Sequence, residues 1–123
     1  MVVEFFFDSY ALFELLEKNP KYLPYENRSF ILTIFNVAEV VYFVLKDWGI
    51  DAAREMYQDL LEHVVEVDEE TLLSAVRLRH EYNKRKLSYT DCIGYVCALR
   101  KKIPFLTGDR QFHDLPNVEF LPA

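Results

Sequence analysis

The sequence predicts an α/β protein, a three-layer α/β/α sandwich with a mostly parallel central sheet. Short β-prone apolar runs alternate with helical patterns along the whole chain, and strands separated in this way pair in parallel because their crossovers are helical. With 123 residues, 51% of them hydrophobic, and only three glycines and five prolines, the chain reads as one domain over residues 1–123 and not as a low-complexity or collagen-like polymer.

Residues 2–7, Val-Val-Glu-Phe-Phe-Phe, form the first strand, ended by Asp8-Ser9, and Ala11, Leu12, Phe13, Leu15 and Leu16 continue at helical spacing. After the Asn19-Pro20 break, Phe30-Ile31-Leu32-Thr33 reads either as a strand or as the start of a long apolar helix that runs to Trp48 and stops at Gly49. A second helix covers Asp51 to Leu61, and Val64 to Val67 form a strand. Asp68 caps a helix through about Lys84, and Ser88 caps another to about Lys102. Ile103 to Thr107 form a strand broken at Gly108, and Val118 to Leu121 a last one after the Pro116-Asn117 turn.

No apolar run reaches the roughly 18 residues of a membrane span, which excludes an embedded protein of the helical kind. The N-terminal stretch has no basic segment before its apolar run, so a cytoplasmic location without a secretory leader is expected. Cys92 and Cys97 lie on different faces of one helix and read as buried thiols. His63, His80 and His113 are scattered, which excludes a zinc site of the usual soft-ligand kind. The net charge of −6 hides an uneven distribution. Residues 1–75 hold 5 Lys and Arg against 15 Asp and Glu, and residues 76–123 hold 9 against 5. Arg77, Arg79, Lys84, Arg85 and Lys86 cluster, as do Arg100, Lys101, Lys102 and Arg110, so one face could bind phosphates despite the acidic total.

In open α/β sheets the binding crevice lies at the carboxyl ends of the strands. Asp8 follows the first strand, and Asp109 follows Ile103 to Thr107 across one glycine, so both point toward the same edge. Glu39 lies in Ile34 to Leu45, a segment apolar nearly all round except for Asn36 and Glu39, which share a helix face; such a helix is expected to be buried. Asp91 stands three residues after Ser88, at capping-box spacing, and opens a helix whose next stretch is uncharged. Each acid also has a local reading, Asp8 as a helix cap, Asp91 in a capping box, and Asp109 in a turn. Together, four carboxylates from separate elements repel one another unless a cation joins them. Mg²⁺ or Mn²⁺ suits such hard oxygen donors and activates water for phosphodiester hydrolysis.

With these motifs the chain resembles the PIN-domain family, and within it the VapC-like toxin ribonucleases. The residues carrying the likeness are Asp8 in Phe-Phe-Phe-Asp, Glu39 in Asn-Val-Ala-Glu, Asp91 in Leu-Ser-Tyr-Thr-Asp, and Asp109 in Phe-Leu-Thr-Gly-Asp-Arg-Gln-Phe. The resemblance implies that Asp8, Glu39, Asp91 and Asp109 are the acidic metal-binding quartet and Thr107 the adjacent hydroxyl. It also implies a PIN-like sandwich, a Mg²⁺- or Mn²⁺-dependent endoribonuclease leaving 5′-phosphate and 3′-hydroxyl ends, a homodimer, and a small cognate antitoxin. Gly108 stands where many relatives carry a polar or basic residue, and Cys92 and Tyr95 depart from the family's small residues.

From their chemistry, Thr107, Asn36 and Ser9 are expected as donors behind the carboxylates, and Arg85, Lys86 and Arg110 as contacts to RNA phosphates. A dehalogenase-like phosphatase would need Asp-x-Asp after the first strand, where Tyr10 stands. A receiver domain would need an adjacent acidic pair there, which is absent. The competing reading is a catalytically silent domain of the same fold that binds RNA or a protein partner.

Overall fold

The computed structural model describes residues 2–123. Its elements follow the order β1 (Phe5–Phe7), α1 (Ser9–Leu16), a 3₁₀ turn (Pro20–Tyr25), β2 (Phe30–Ile31), α2 (Ile34–Leu61), α3 (Glu69–Glu81), α4 (Tyr89–Lys101), β3 (Phe105–Thr107), a 3₁₀ turn (Arg110–Phe112) and β4 (Val118–Phe120). The four strands are all parallel, in the order β2-β1-β3-β4. No helix among the described residues is long and apolar enough to cross a membrane.

Period-two alternation sends Phe6 to one face of the sheet and Phe5 and Phe7 to the other. Phe6 stacks on Phe105 with ring centroids 5.6 Å apart, while Phe5 meets Tyr25 edge-on and Phe7 stacks on Phe30 at 4.5 Å. All three phenylalanines of β1 are buried, so both faces of the sheet are covered. Cys92 and Cys97 are buried free thiols, as expected.

Several boundaries differ from the sequence reading. The first strand is shorter than residues 2–7 and begins at Phe5. The ambiguous segment divides in two, with Phe30–Ile31 in the sheet and Thr33 as the N-cap of α2. The stop expected at Gly49 is present within α2: Gly49 adopts φ +88° and ψ −178°, outside helical geometry and open to a residue without a side chain, and it separates two helical segments on either side of a kink. Val64 to Val67 make no full strand. Only Leu32 and Val64 pair, through Leu32 N–H to His63 O and Val65 N–H to Leu32 O, before Asp68 starts α3. α3 itself ends at Glu81, short of Lys84, where Tyr82 leaves helical geometry.

The expectation of a buried helix around Glu39 is corrected. Val37, Val40 and Val44 are buried, but Ile34, Phe35, Tyr42, Leu45 and Trp48 are exposed. α2 packs one side on the domain and presents a second apolar side to solvent.

Candidate functional site

Because β1 and β3 are parallel neighbours in register Phe7 to Leu106, the residues that follow them emerge together. The Asp8 N–H donates to Leu106 O at 3.1 Å, which fixes Asp8 beside Thr107. Asp8 occupies the N-cap of α1 but makes no side-chain cap bond there. Its carboxylate instead turns into the protein, only 2% exposed, and Oδ2 accepts from the Thr107 hydroxyl at 2.7 Å. The other oxygen, Oδ1, is buried with no hydrogen-bond partner. A buried, unpaired carboxylate oxygen is costly and calls for a cation or a proton. Burial, and next the charge of Asp91, push the Asp8 carboxyl up to about 8, with the Thr107 hydrogen bond opposing them.

Thr107 is fully buried, and its hydroxyl links the Asp8 carboxylate to the Asp109 backbone. It donates to Asp8 and accepts from the Asp109 N–H at 3.1 Å. Asp109 caps the following 3₁₀ turn, Oδ1 accepting from Gln111 N–H at 2.9 Å. Between them, Gly108 is required by space. A Cβ there would lie 2.2 Å from Tyr10 Cε1 and 2.5 Å from the Leu121 carbonyl oxygen.

Asp91 does form the capping box that its spacing allows. Ser88 N–H donates to Oδ2 at 2.9 Å, and Asp91 N–H donates to Ser88 Oγ at 3.0 Å. That arrangement uses one carboxylate oxygen. Burial raises the Asp91 carboxyl above its ordinary value, and so do the charges of Asp109 and Glu39. The cap reading of Asp91 holds, and it leaves the other carboxylate oxygen outside the capping box. Glu39, half-buried on α2, accepts from Ser9 Oγ at 2.6 Å, and Ser9 in turn accepts from Asn36 Nδ2 at 3.0 Å.

The charges of Asp91 and Asp109 thus act on Asp8, and those of Asp109 and Glu39 on Asp91, from four separate segments of the chain. Their donors are all hard oxygens, and with the orphaned Asp8 Oδ1 this set fits a divalent cation of the Mg²⁺ class. Among the described residues, no three His, Cys, Asp or Glu side chains stand drawn together as a metal cage.

The basic residues are less uniform than their clustering implies. Arg85 is bound on both sides, with a bidentate pair to Asp114 at 2.7 and 2.9 Å, a bond to Gln111 O at 2.8 Å, and its guanidinium over the Tyr82 ring. It fastens the loop before α4 to the turn after Asp109 and is not free for phosphate. Lys86 and Arg110 are exposed on that same loop and turn, which meet where Lys86 N–H donates to Gln111 Oε1. Arg77 pairs with Glu81 and Arg100 with Asp68, so the continuous basic face expected from sequence is partly neutralised.

Sequence reasoning missed Thr33. Its N–H and hydroxyl both donate to Asn36 Oδ1, and the signal was a cap residue three positions before Asn36.

A search of curated proteins finds no match. Among solved structures, the chain is similar to VapC20 of Mycobacterium tuberculosis, described as a sarcin-ricin loop cleaving toxin. That likeness has 17% identity and a TM-score of 0.78, and covers 97% of this chain and 100% of that one. A toxin–antitoxin complex from Klebsiella pneumoniae matches at 19% identity and TM-score 0.74, over 94% of each chain. VapBC2 from Rickettsia felis, solved with a promoter DNA fragment, matches at 14% and 0.72, over 98% of this chain and 99% of that one. These likenesses establish the fold. The model of the PIN domain matches residues 5–118, from β1 through the start of β4, and the chain therefore belongs to the PIN-domain family.

Proposed function

We propose that the protein is a Mg²⁺- or Mn²⁺-dependent endoribonuclease that hydrolyses RNA phosphodiester bonds, the toxin of a toxin–antitoxin pair. The observation that carries this reading is Asp8, whose buried Oδ1 lacks a partner while the charges of Asp91 and Asp109 act on it and that of Glu39 acts on Asp91. Asp8, Asp109, Asp91 and Glu39 would hold the cation. The chemistry it supplies when bound is Lewis acidity, polarising the phosphate and activating water.

The chain's own groups divide the remaining work. Thr107 holds Asp8 and Asp109 at a fixed separation through one hydroxyl. Lys86 and Arg110, exposed beside Asp109, contact RNA phosphates. Ser88 keeps Asp91 at the N-terminus of α4. The partners in this reading are a small antitoxin and a second copy of the chain. Its support is the toxin–antitoxin character of the fold neighbours and the large apolar side chains exposed on α2 and α3, a kind of surface that protein partners cover.

The test is product chemistry. Labelled RNA incubated with purified protein and Mn²⁺ is expected to yield 5′-phosphate and 3′-hydroxyl ends. Ends bearing a 2′,3′-cyclic phosphate would mean that the RNA's own hydroxyl attacks, and would overturn the assignment. Binding of RNA in EDTA with no cleavage in any divalent cation would favour the silent binding domain instead.

A further inference from the structure

Glu39 stands at the end of a hydrogen-bond chain whose direction one backbone group dictates. The Thr33 N–H can only donate, and it lies 3.0 Å from one end of the Asn36 side-chain amide. That end is therefore the oxygen, which also accepts from the Thr33 hydroxyl at 2.8 Å. This removes the usual ambiguity of an amide's orientation. The other end is the NH₂ group, and it faces Ser9 Oγ at 3.0 Å. Ser9 accepts there, and its single proton goes to Glu39 Oε1 at 2.6 Å. Thr33 and Asn36 are fully buried and Ser9 is 5% exposed, so water does not compete for these groups.

We propose that Asn36 and Ser9 are positioning residues that hold the Glu39 carboxylate in one orientation, Oε1 bound to the protein and Oε2 offered to the cation. The inference rests on the reading of the four carboxylates as a cation site. Glu39 needs such a restraint. It is half-buried on an element whose neighbouring side chains reach solvent, and it repels Asp91, so without a tether its favoured course is outward. Asn36 is suited to the task because it accepts at one end and donates at the other. An aspartate there would accept at both ends and draw the Ser9 proton away from Glu39. Leucine would fill the space and pass nothing on.

Electron paramagnetic resonance of free Mn²⁺ measures the binding constant directly, with no dependence on activity. It is to be applied to wild type, Ser9→Ala, Ser9→Thr, Asn36→Leu and the Ser9→Ala, Asn36→Leu double variant. Ser9→Ala and Asn36→Leu are each expected to weaken Mn²⁺ binding about 10- to 100-fold, the usual loss when a group that orients a ligand is removed. The double variant is expected to bind no more weakly than the weaker single one, because the two residues lie on one chain of bonds. Ser9→Thr returns the hydroxyl and is expected to bind near the wild-type level. Ser9→Ala binding like wild type, Ser9→Thr binding as weakly as Ser9→Ala, or additive losses in the double variant would each overturn the proposal. Should Asn36→Leu fail to fold, the Ser9→Ala and Ser9→Thr pair decides. Asp8→Asn separates the two levels of the claim. If it binds Mn²⁺ as tightly as wild type, the cation-site reading itself fails, and if it loses binding while Ser9→Ala keeps it, only the positioning role fails.

Discussion

Replacing Asp8 by asparagine is expected to stabilise the protein when divalent cations are removed. In the folded state the Asp8 carboxyl keeps its proton up to about pH 8, against an ordinary value of 3.8. Between those limits the folded protein binds a proton that the unfolded chain has released, so stability falls as pH rises from about 4 to about 8. Each tenfold change in proton affinity is worth roughly 1.4 kcal/mol, so the whole interval corresponds to at most about 6 kcal/mol. Asparagine removes that penalty and keeps an oxygen for the Thr107 hydroxyl, but it places an NH₂ where Oδ1 lacks a partner, at a cost of about 1–3 kcal/mol. Asp91 also takes part in the titration, which reduces the share that Asp8 alone can return. A net gain of about 2 kcal/mol at pH 8 translates to roughly 8 °C in melting temperature for a domain of this size. The assay is thermal melting by circular dichroism in EDTA at pH 5 and pH 8. The gain is expected at pH 8 and should vanish or reverse at pH 5. An Asp8→Asn protein that melts below wild type at pH 8 would make Asp8 a structural group and remove the basis for a strained, cation-seeking carboxylate.

The remaining expectations concern its neighbours. Added Mn²⁺ should raise the melting temperature of wild type and leave that of Asp8→Asn nearly unchanged, as linkage requires of a ligand bound by the folded state alone. Thr107→Val keeps the shape but strips Asp8 Oδ2 and the Asp109 N–H of their shared hydroxyl, and is expected to cost about 1–3 kcal/mol in urea unfolding and to lower cleavage. Gly108→Ala would force a methyl group against Tyr10 and the Leu121 carbonyl, and should destabilise by about 1–3 kcal/mol in the same assay. Lys86→Ala and Arg110→Ala should each reduce the slope of log Kd against log salt for RNA by about 1, whereas Arg85→Ala should act through a lower melting temperature.

Much of the architecture was legible because it rests on local signals. Phe-Phe-Phe before Asp8-Ser9, Ser88 ahead of Asp91, and Gly108 after Thr107 are punctuation that short-range physics writes into the chain. The common edge of Asp8 and Asp109 was legible for a related reason, since residues that follow neighbouring parallel strands emerge together. What depends on partners distant in sequence was not legible. Arg85 reads as a free cation until Asp114 and Gln111 are brought against it. Gly108 reads as a plain turn residue until Tyr10 and Leu121 close on both sides. The apolar circumference of α2 read as burial, yet Phe35, Tyr42 and Trp48 lie in solvent, because apolar periodicity reports what a helix can cover and not what is there to cover it. The polarity of the link from Asn36 to Glu39 needed the position of one Thr33 N–H.

Whether these carboxylates form a cation-dependent nuclease centre is decided by cleavage of a labelled total-RNA pool by wild type, Asp8→Asn and Asp109→Asn, each in Mn²⁺, Mg²⁺ and EDTA. Cutting by wild type is expected to require the divalent cation and to disappear in both variants. Equal cutting by all three proteins, or cutting that persists in EDTA, would mean that the carboxylates are not the cleaving centre.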